Sequence, residues 1–249
     1  MLRGKAPMAD TRLTALSRRC VDYFFPPLCI ICDEPRVPRD RWLCENCKKI
    51  LRENHERRRP CPRCGMNRAF GHCACVNGWN HPFESVYSIL DFDSMVKEVM
   101  HQVKYRGKRR FAFYIGSLLA ELVPQEVLSE TDAFIAVPLH PKRLHKRGYN
   151  QSLLLARGLG RDRSGQPVLE GVLLRVRNTS SQTKLDREER TQNMKGAFAA
   201  ASGRAKDISG RRLLLIDDII TTGATTAAAA KTLLDAGCAS VRVLSVARD

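Results

Sequence analysis

RRLLLIDDIITTGATTAAAA, residues 211–230, is the stretch whose reading decides the fold. Its apolar run, residues 213–216, reads as a buried strand ending in two carboxylates, Asp217 and Asp218. A Thr/Gly-rich loop then opens a helix with no linker between. Thr221, Thr222, Gly223, Ala224 and Thr225 can aim backbone N–H groups and hydroxyls at a phosphate. Gly223 allows close approach, and the helix dipole favours the anion. Asp217 and Asp218 can accept hydrogen bonds from vicinal hydroxyls, which selects a ribose attached to that phosphate; the plain alternative is an Asp serving as a helix cap. No Gly-Lys-Thr/Ser follows and the loop lacks G-x-G-x-x-G, so neither a triphosphate P-loop nor a dinucleotide fingerprint is present here.

Outward from this stretch the pattern repeats. SVYSIL (85–90) reads as a strand, and Met95, Val96, Val99, Met100 and Val103 share one helical face. FYIGSLLAELV (113–123) reads as a second helix and AFIAV (133–137) as a buried strand. YNQSLLLARGLG (149–160) reads as a helix closed by Gly160, VLLRV (172–176) as a strand, ATTAAAAKTLLDAG (224–237) as a helix closed by Gly237, and SVRVLSV (240–246) as the last strand. Strands alternating with helices predict an α/β fold, a parallel sheet flanked by helices on both faces, with its ligand at the carboxyl ends of the strands.

The first third of the chain has a different composition. Of ten cysteines, eight fall between Cys29 and Cys75, and six of those form C-x-x-C pairs, which fits metal binding better than a disulfide scaffold. Cys29, Cys32, Cys44 and Cys47 make two knuckles with a ribbon-sized loop of eleven residues between them, the pattern of a structural zinc site with four thiolates and no open position. Cys61 and Cys64 form a third knuckle followed by Gly65, and Cys73 and Cys75 complete the set as C-x-C. There His72 is an alternative ligand, and a metal-free collapsed turn is the other reading. Cys20 and Cys238 stand alone and read as small buried hydrophobes. The composition shifts near residue 80, giving an N-terminal segment (1–25), a zinc-ribbon module (26–80) and an α/β domain (81–249).

A chain of 249 residues that is 43% hydrophobic buries a sizeable core, and its net charge of +16 calls for an anionic partner such as phosphate, nucleic acid or a membrane headgroup. Nothing approaches the ~18 apolar residues of a membrane span. The apolar DYFFPPLCIIC is broken by Pro26 and Pro27, and the basic start lacks an apolar signal core, so a soluble cytoplasmic protein is expected. The basic run 57–59 beside the cysteines reads as a phosphate contact or as a solvated face.

LLLIDDIITTGATT resembles the ribose-phosphate motif of type I phosphoribosyltransferases at every position. More of the chain, from Cys29 almost to its end, resembles the ComF family of competence-associated, phosphoribosyltransferase-like double zinc ribbon proteins. The elements that carry this resemblance are the paired knuckles, VKYRGKRR (103–110), VPLHPKRLHKRGYNQS (137–152), SQTKLDREERTQNMKGAF (181–198) and the ribose-phosphate motif. One departure is Cys73-x-Cys75 where the family usually has a second C-x-x-C.

The resemblance implies a site for 5-phosphoribosyl-1-pyrophosphate with Mg²⁺. Asp217 and Asp218 would hold the ribose hydroxyls and Thr221 to Thr225 the 5-phosphate. The loop 137–147, with Pro138, Leu139, Arg143 and Arg147, would face the pyrophosphate. Segment 182–193 resembles the mobile loop that closes over the reacting centre, with Arg187 or Arg190 stabilising departing charge, an ordinary exposed loop being the alternative. Lys104, beside Gly107 at a helix end, is expected to contact ligand, helix capping being the alternative for its cluster.

Three functions compete. One is a Mg²⁺-dependent phosphoribosyltransferase, although no residue set selects an acceptor and no N-terminal cysteine serves a glutaminase. The second, implied by the ComF resemblance, is a non-catalytic factor in DNA uptake that handles single-stranded DNA alongside DNA-uptake proteins. The positive charge suits it, while aromatic residues, at 6%, seldom interleave with the basic clusters. The third is a zinc-stabilised interaction protein with a vestigial phosphate site.

Overall fold

The computed structural model describes residues 26–35, 42–71, 73, 75, 80–104, 108–162, 165–179 and 192–249. The chain divides into two compact units, Met1–Ile50 and Leu51–Asp249. In chain order its regular elements are α1 (Glu45–Glu56), β1 (Val86–Asp91), α2 (Ser94–Lys104), α3 (Arg109–Ala120), α4 (Gln125–Ser129), β2 (Ala133–Ala136), α5 (Pro141–Arg147), α6 (Gln151–Asp162), β3 (Leu173–Arg175), β4 (Phe198–Ala200), β5 (Arg212–Ile220), α7 (Ala224–Asp235) and β6 (Ser240–Arg248).

In the first unit a knuckle turn sets Cys29 and Cys32 side by side. The Asp33 N–H donates to the Cys29 carbonyl at 3.0 Å, and the Cys29 N–H to the Glu34 carbonyl at 2.8 Å. Asp33 takes the left-handed conformation, φ 58°, that an Asp tolerates better than most residues.

The second unit is built on a parallel sheet in the order β1-β6-β5-β2. Parallel strands covered on both faces read as continuous apolar runs, which is how residues 213–216 of β5 are written. On one face Val86, Ile135, Leu213, Leu215, Val241 and Val243 pack with Ala229, Ala230 and Leu233 of α7 and with Cys61 and Cys64. On the other, Ile89, Ile216, Leu244 and Val246 meet Gly116 and Leu119 of α3 and Leu155 and Leu159 of α6. The helices α3 and α6 cross at backbone contact. A methyl group at Gly158 would lie 2.2 Å from the Phe113 carbonyl oxygen, and one at Gly116 2.3 Å from that of Leu155.

The α/β architecture expected from the alternating pattern is thus present, with four differences of detail. The strand of the ribose-phosphate stretch runs through both carboxylates to Ile220, because β5 keeps pairing with β6 as far as Arg248. Gly160 lies inside α6, which continues to Asp162; its missing side chain faces Phe134 and stops nothing. VLLRV supplies only β3, which pairs antiparallel with β4 in a separate two-stranded sheet. Within the loop expected at 137–147, residues 141–147 form α5, because the His140 side chain accepts from the Lys142 N–H and Pro141 starts the helix without needing a donor.

Candidate functional site

The carboxyl end of β5 and the first turn of α7 bring most of the expected residues together. Gly223 occupies the left-handed region, φ 80°, as the N-cap of α7, and offers no side chain to the helix end. The Ala224 N–H reaches Thr222 Oγ1 at 3.4 Å, and the Thr226 hydroxyl turns inward to donate to the Gly223 carbonyl at 3.0 Å. Thr221, Thr222 and Thr225 stay half-buried at the surface of the turn. A helix start with this shape and a glycine cap can receive an anion on its N–H groups.

Asp217 and Asp218 are buried, and each is held by its own set of donors. Asp217 Oδ1 accepts from the Ser152 hydroxyl at 3.1 Å and from the Asp218 N–H at 2.9 Å. Asp218 Oδ2 forms an ion pair with Lys104 Nζ at 3.0 Å and accepts from Gln151 Nε2 at 3.3 Å, while Oδ1 takes the Ile219 N–H at 2.8 Å. Burial above all, and then the Asp218 carboxylate, push Asp217 up to about 7. Burial acts in the same direction on Asp218, but the Lys104 ammonium and its hydrogen bond outweigh it and hold that carboxyl below the usual range. The pair is split: near neutrality one acid carries the charge and the other stands ready to gain or lose a proton.

Lys104, expected to touch ligand, forms an ion pair with Asp218. Arg147 Nη1 donates to Gln151 Oε1 at 2.5 Å, and Arg143 Nη2 to the Thr179 carbonyl at 2.7 Å. Pro138 and Leu139 are half-buried just beyond β2, whose pairing with β5 extends through the Val137 N–H to the Ile216 carbonyl at 2.9 Å. Arg187, Arg190 and His72 lie outside the described residues.

Three participants escaped the sequence reading. Gln151 and Ser152 look like ordinary polar residues at a helix start, and nothing local pairs them with carboxylates more than sixty positions away. Arg175 reads as a strand residue, yet it is 8% exposed, donates to Thr179 Oγ1 at 2.6 Å and lies 5.5 Å from the centre of the Phe198 ring. The quoted run GYNQS was the available signal for the first two.

The cysteines gather into two groups of four, with the four sulfurs of each lying within 4.8 Å of one another. All nine described cysteines are free thiols. In the first group Cys29 and Cys47 are 3.7 Å apart and Cys32 and Cys44 3.6 Å. In the second, Cys64–Cys73 and Cys61–Cys73 are 3.2 Å and Cys61–Cys75 3.9 Å. A tetrahedral zinc ion with Zn–S of about 2.3 Å sets its sulfurs about 3.8 Å apart, so both groups fit it with little movement. Burial opposes ionisation of Cys61, but the Cys64 N–H, the Cys73 thiol and the Arg63 N–H outweigh it and bring it to about 6, whereas burial pushes the thiols of Cys64 and Cys75 up. The C-x-C spacing thus brings all four cysteines of the second group together.

A parallel sheet flanked by helices, with an acid pair and a Thr/Gly turn at the carboxyl end of a central strand, defines a phosphoribosyltransferase-type α/β domain. Residues 159–249 match the phosphoribosyl transferase domain family. Over 233 residues the chain is 30% identical to the DNA utilization protein YhgH of Escherichia coli and to that of Shigella flexneri, covering 90% of this chain and 97% of each relative. It is 29% identical over 235 residues to competence protein F of Haemophilus influenzae, covering 90% and 98%. The chain belongs to the ComF family. Among the described residues no helix is long and apolar enough to cross a membrane.

Proposed function

We propose that the protein is a cytoplasmic, ComF-type factor that binds phosphoribosyl pyrophosphate through residues 213–226 and serves DNA uptake or utilisation, as the names of its relatives indicate for them. The observation that carries this reading is the meeting of the split acid pair with the glycine-capped helix start. In it the first turn of α7 takes the 5-phosphate and the two carboxylates take the ribose hydroxyls. Lys104 gives up Asp218 as the sugar enters. Arg143 and Arg147, on α5 beyond β2, face the pyrophosphate, whose Mg²⁺ arrives with the ligand and neutralises its charge. Each cysteine group holds one structural zinc, with residues 26–80 as the ribbon module and 81–249 as the ligand-binding domain.

A transferase reaction would displace pyrophosphate by an acceptor, and a binding factor would hold the ligand without turnover. Calorimetry with phosphoribosyl pyrophosphate and Mg²⁺ tests binding, with the Asp217→Asn/Asp218→Asn double variant as control. Loss of hydrogen bonds to two carboxyl acceptors, one of them charged, predicts an affinity drop of roughly 100-fold. Pyrophosphate release in the same samples separates turnover from binding, and single-stranded DNA binding across a salt series measures the phosphate-contact term of the DNA role. No heat with the sugar phosphate in the wild type would refute the reading.

A further inference from the structure

We infer that Gln151 and Ser152, in the first turn of α6, are positioning residues that fix the two site carboxylates in one orientation, each residue holding one acid. Successive residues of a strand project to opposite faces, so Asp217 and Asp218 cannot both be reached by an element packed on one side of the sheet. Ser152 reaches the first and Gln151 the second. The start of α6 therefore straddles the carboxyl end of β5. It is anchored there to two other segments and braced by one bond of its own. Asn150 Nδ2 donates to the Val137 carbonyl at 3.0 Å, Asn150 Oδ1 accepts the Ser152 N–H at 3.1 Å, and the Tyr149 hydroxyl donates to the Val103 carbonyl at 2.8 Å. Arg147 occupies Gln151 Oε1, so the amide can present only its NH₂ to Asp218.

The consequence lies in which oxygens remain. Both hydrogen bonds to Asp217 fall on Oδ1. Among the described residues no protein donor is bonded to Oδ2, which is the oxygen turned over to a ligand hydroxyl. Asp218 Oδ2 becomes the second acceptor once Lys104 withdraws, with Gln151 still holding its direction. Two acceptors fixed on adjacent residues suit the two neighbouring hydroxyls of a ribose, so the inference rests on the phosphoribosyl reading and assigns a task to the GYNQS run. The charged groups facing the acids are Lys104 from α2, Arg147 from α5, Arg175 from β3 and each acid on the other.

The Ser152 hydroxyl donates to the ionised form of Asp217, so its removal favours the protonated form and raises the pH at which Asp217 ionises. A ¹³C NMR titration of the aspartate carboxyls in the full chain should show the Asp217 midpoint rising by roughly half to one pH unit in Ser152→Ala. Ribose 5-phosphate binding measured from pH 5.5 to 8.5 should shift its midpoint in step, while the ligand's own phosphate titration is common to both proteins and cancels. Gln151→Met should weaken ribose 5-phosphate binding roughly 10-fold without moving the Asp217 midpoint. A purely structural role would lower melting temperature and leave both midpoints in place. Ser152→Ala that binds ribose 5-phosphate with the wild-type midpoint overturns the positioning role. A carboxyl shift in Ser152→Ala together with no ribose 5-phosphate uptake by the wild type refutes the ligand reading and leaves the positioning standing.

Discussion

Glycine-to-alanine changes at Gly158 and Gly160, two positions apart on α6, should have opposite signs. Helix propensity alone makes both favourable, since alanine inside a helix is worth up to about 1 kcal/mol over glycine. At Gly160 the added methyl would sit 3.5 Å from the Phe134 ring, an ordinary contact, so the propensity gain survives and the melting temperature rises by about 2–4 °C for a unit of this size. At Gly158 it would sit 2.2 Å from the Phe113 carbonyl oxygen and 2.7 Å from the Ser117 nitrogen. Those are backbone atoms of α3, which cannot rotate away, so the helices must part by about 1 Å to restore an ordinary contact. Overpacking of this kind costs about 1–3 kcal/mol, and a rigid obstacle points to the upper end, a fall of about 6–12 °C. Because α6 also carries Gln151 and Ser152, displacing it by that distance stretches their bonds to the carboxylates beyond hydrogen-bonding range, and ribose 5-phosphate affinity should fall with it. Thermal melts followed by circular dichroism, with and without ribose 5-phosphate, check both effects. Gly158→Ala melting at or above the wild type would refute the close-crossing argument.

Two further outcomes follow from the buried groups. Asp217 is held at about 7 in the folded protein against an ordinary value of 3.8, so between those values the folded chain keeps a proton that the unfolded chain has released. Its stabilising contribution is complete below about 4 and lost as pH rises through 7. Asp217→Asn should therefore melt higher than wild type at pH 8 and lose that advantage toward pH 4, as scanning fluorimetry across pH would register; equal melting at pH 8 would count against a buried, strained carboxylate. Cys61 and Cys64 share a hydrophobic cluster with Val86, Ile135 and Leu215, whereas Cys29 belongs to the other compact unit. Elemental analysis should find two zinc ions per chain, falling to one in either Cys29→Ser or Cys64→Ser, and only Cys64→Ser should lower the melting of Leu51–Asp249.

What local chemistry specifies is legible in the sequence. Alternating apolar runs announce a parallel sheet, a Thr/Gly turn after two acids announces a phosphate-binding helix start, and C-x-x-C spacing announces metal knuckles. Each of these signals is complete within a dozen or so residues. The short elements were harder. α5 depends on a cap and a proline read together, and β3 exists only because residues 198–200 arrive opposite it.

The sequence by itself determined the class of the fold, the strand and turn that form the site, and the first set of cysteines spaced for a metal, because backbone preference, hydrophobic period and ligand spacing act over short distances. Tertiary structure alone decided that Lys104, Gln151 and Ser152 converge on Asp217 and Asp218, that the acids differ in protonation, and that the second cysteine group lies under the sheet. Those outcomes depend on desolvation and on partners from distant parts of the chain, Ser152 lying 65 and Gln151 67 residues from the acids they hold.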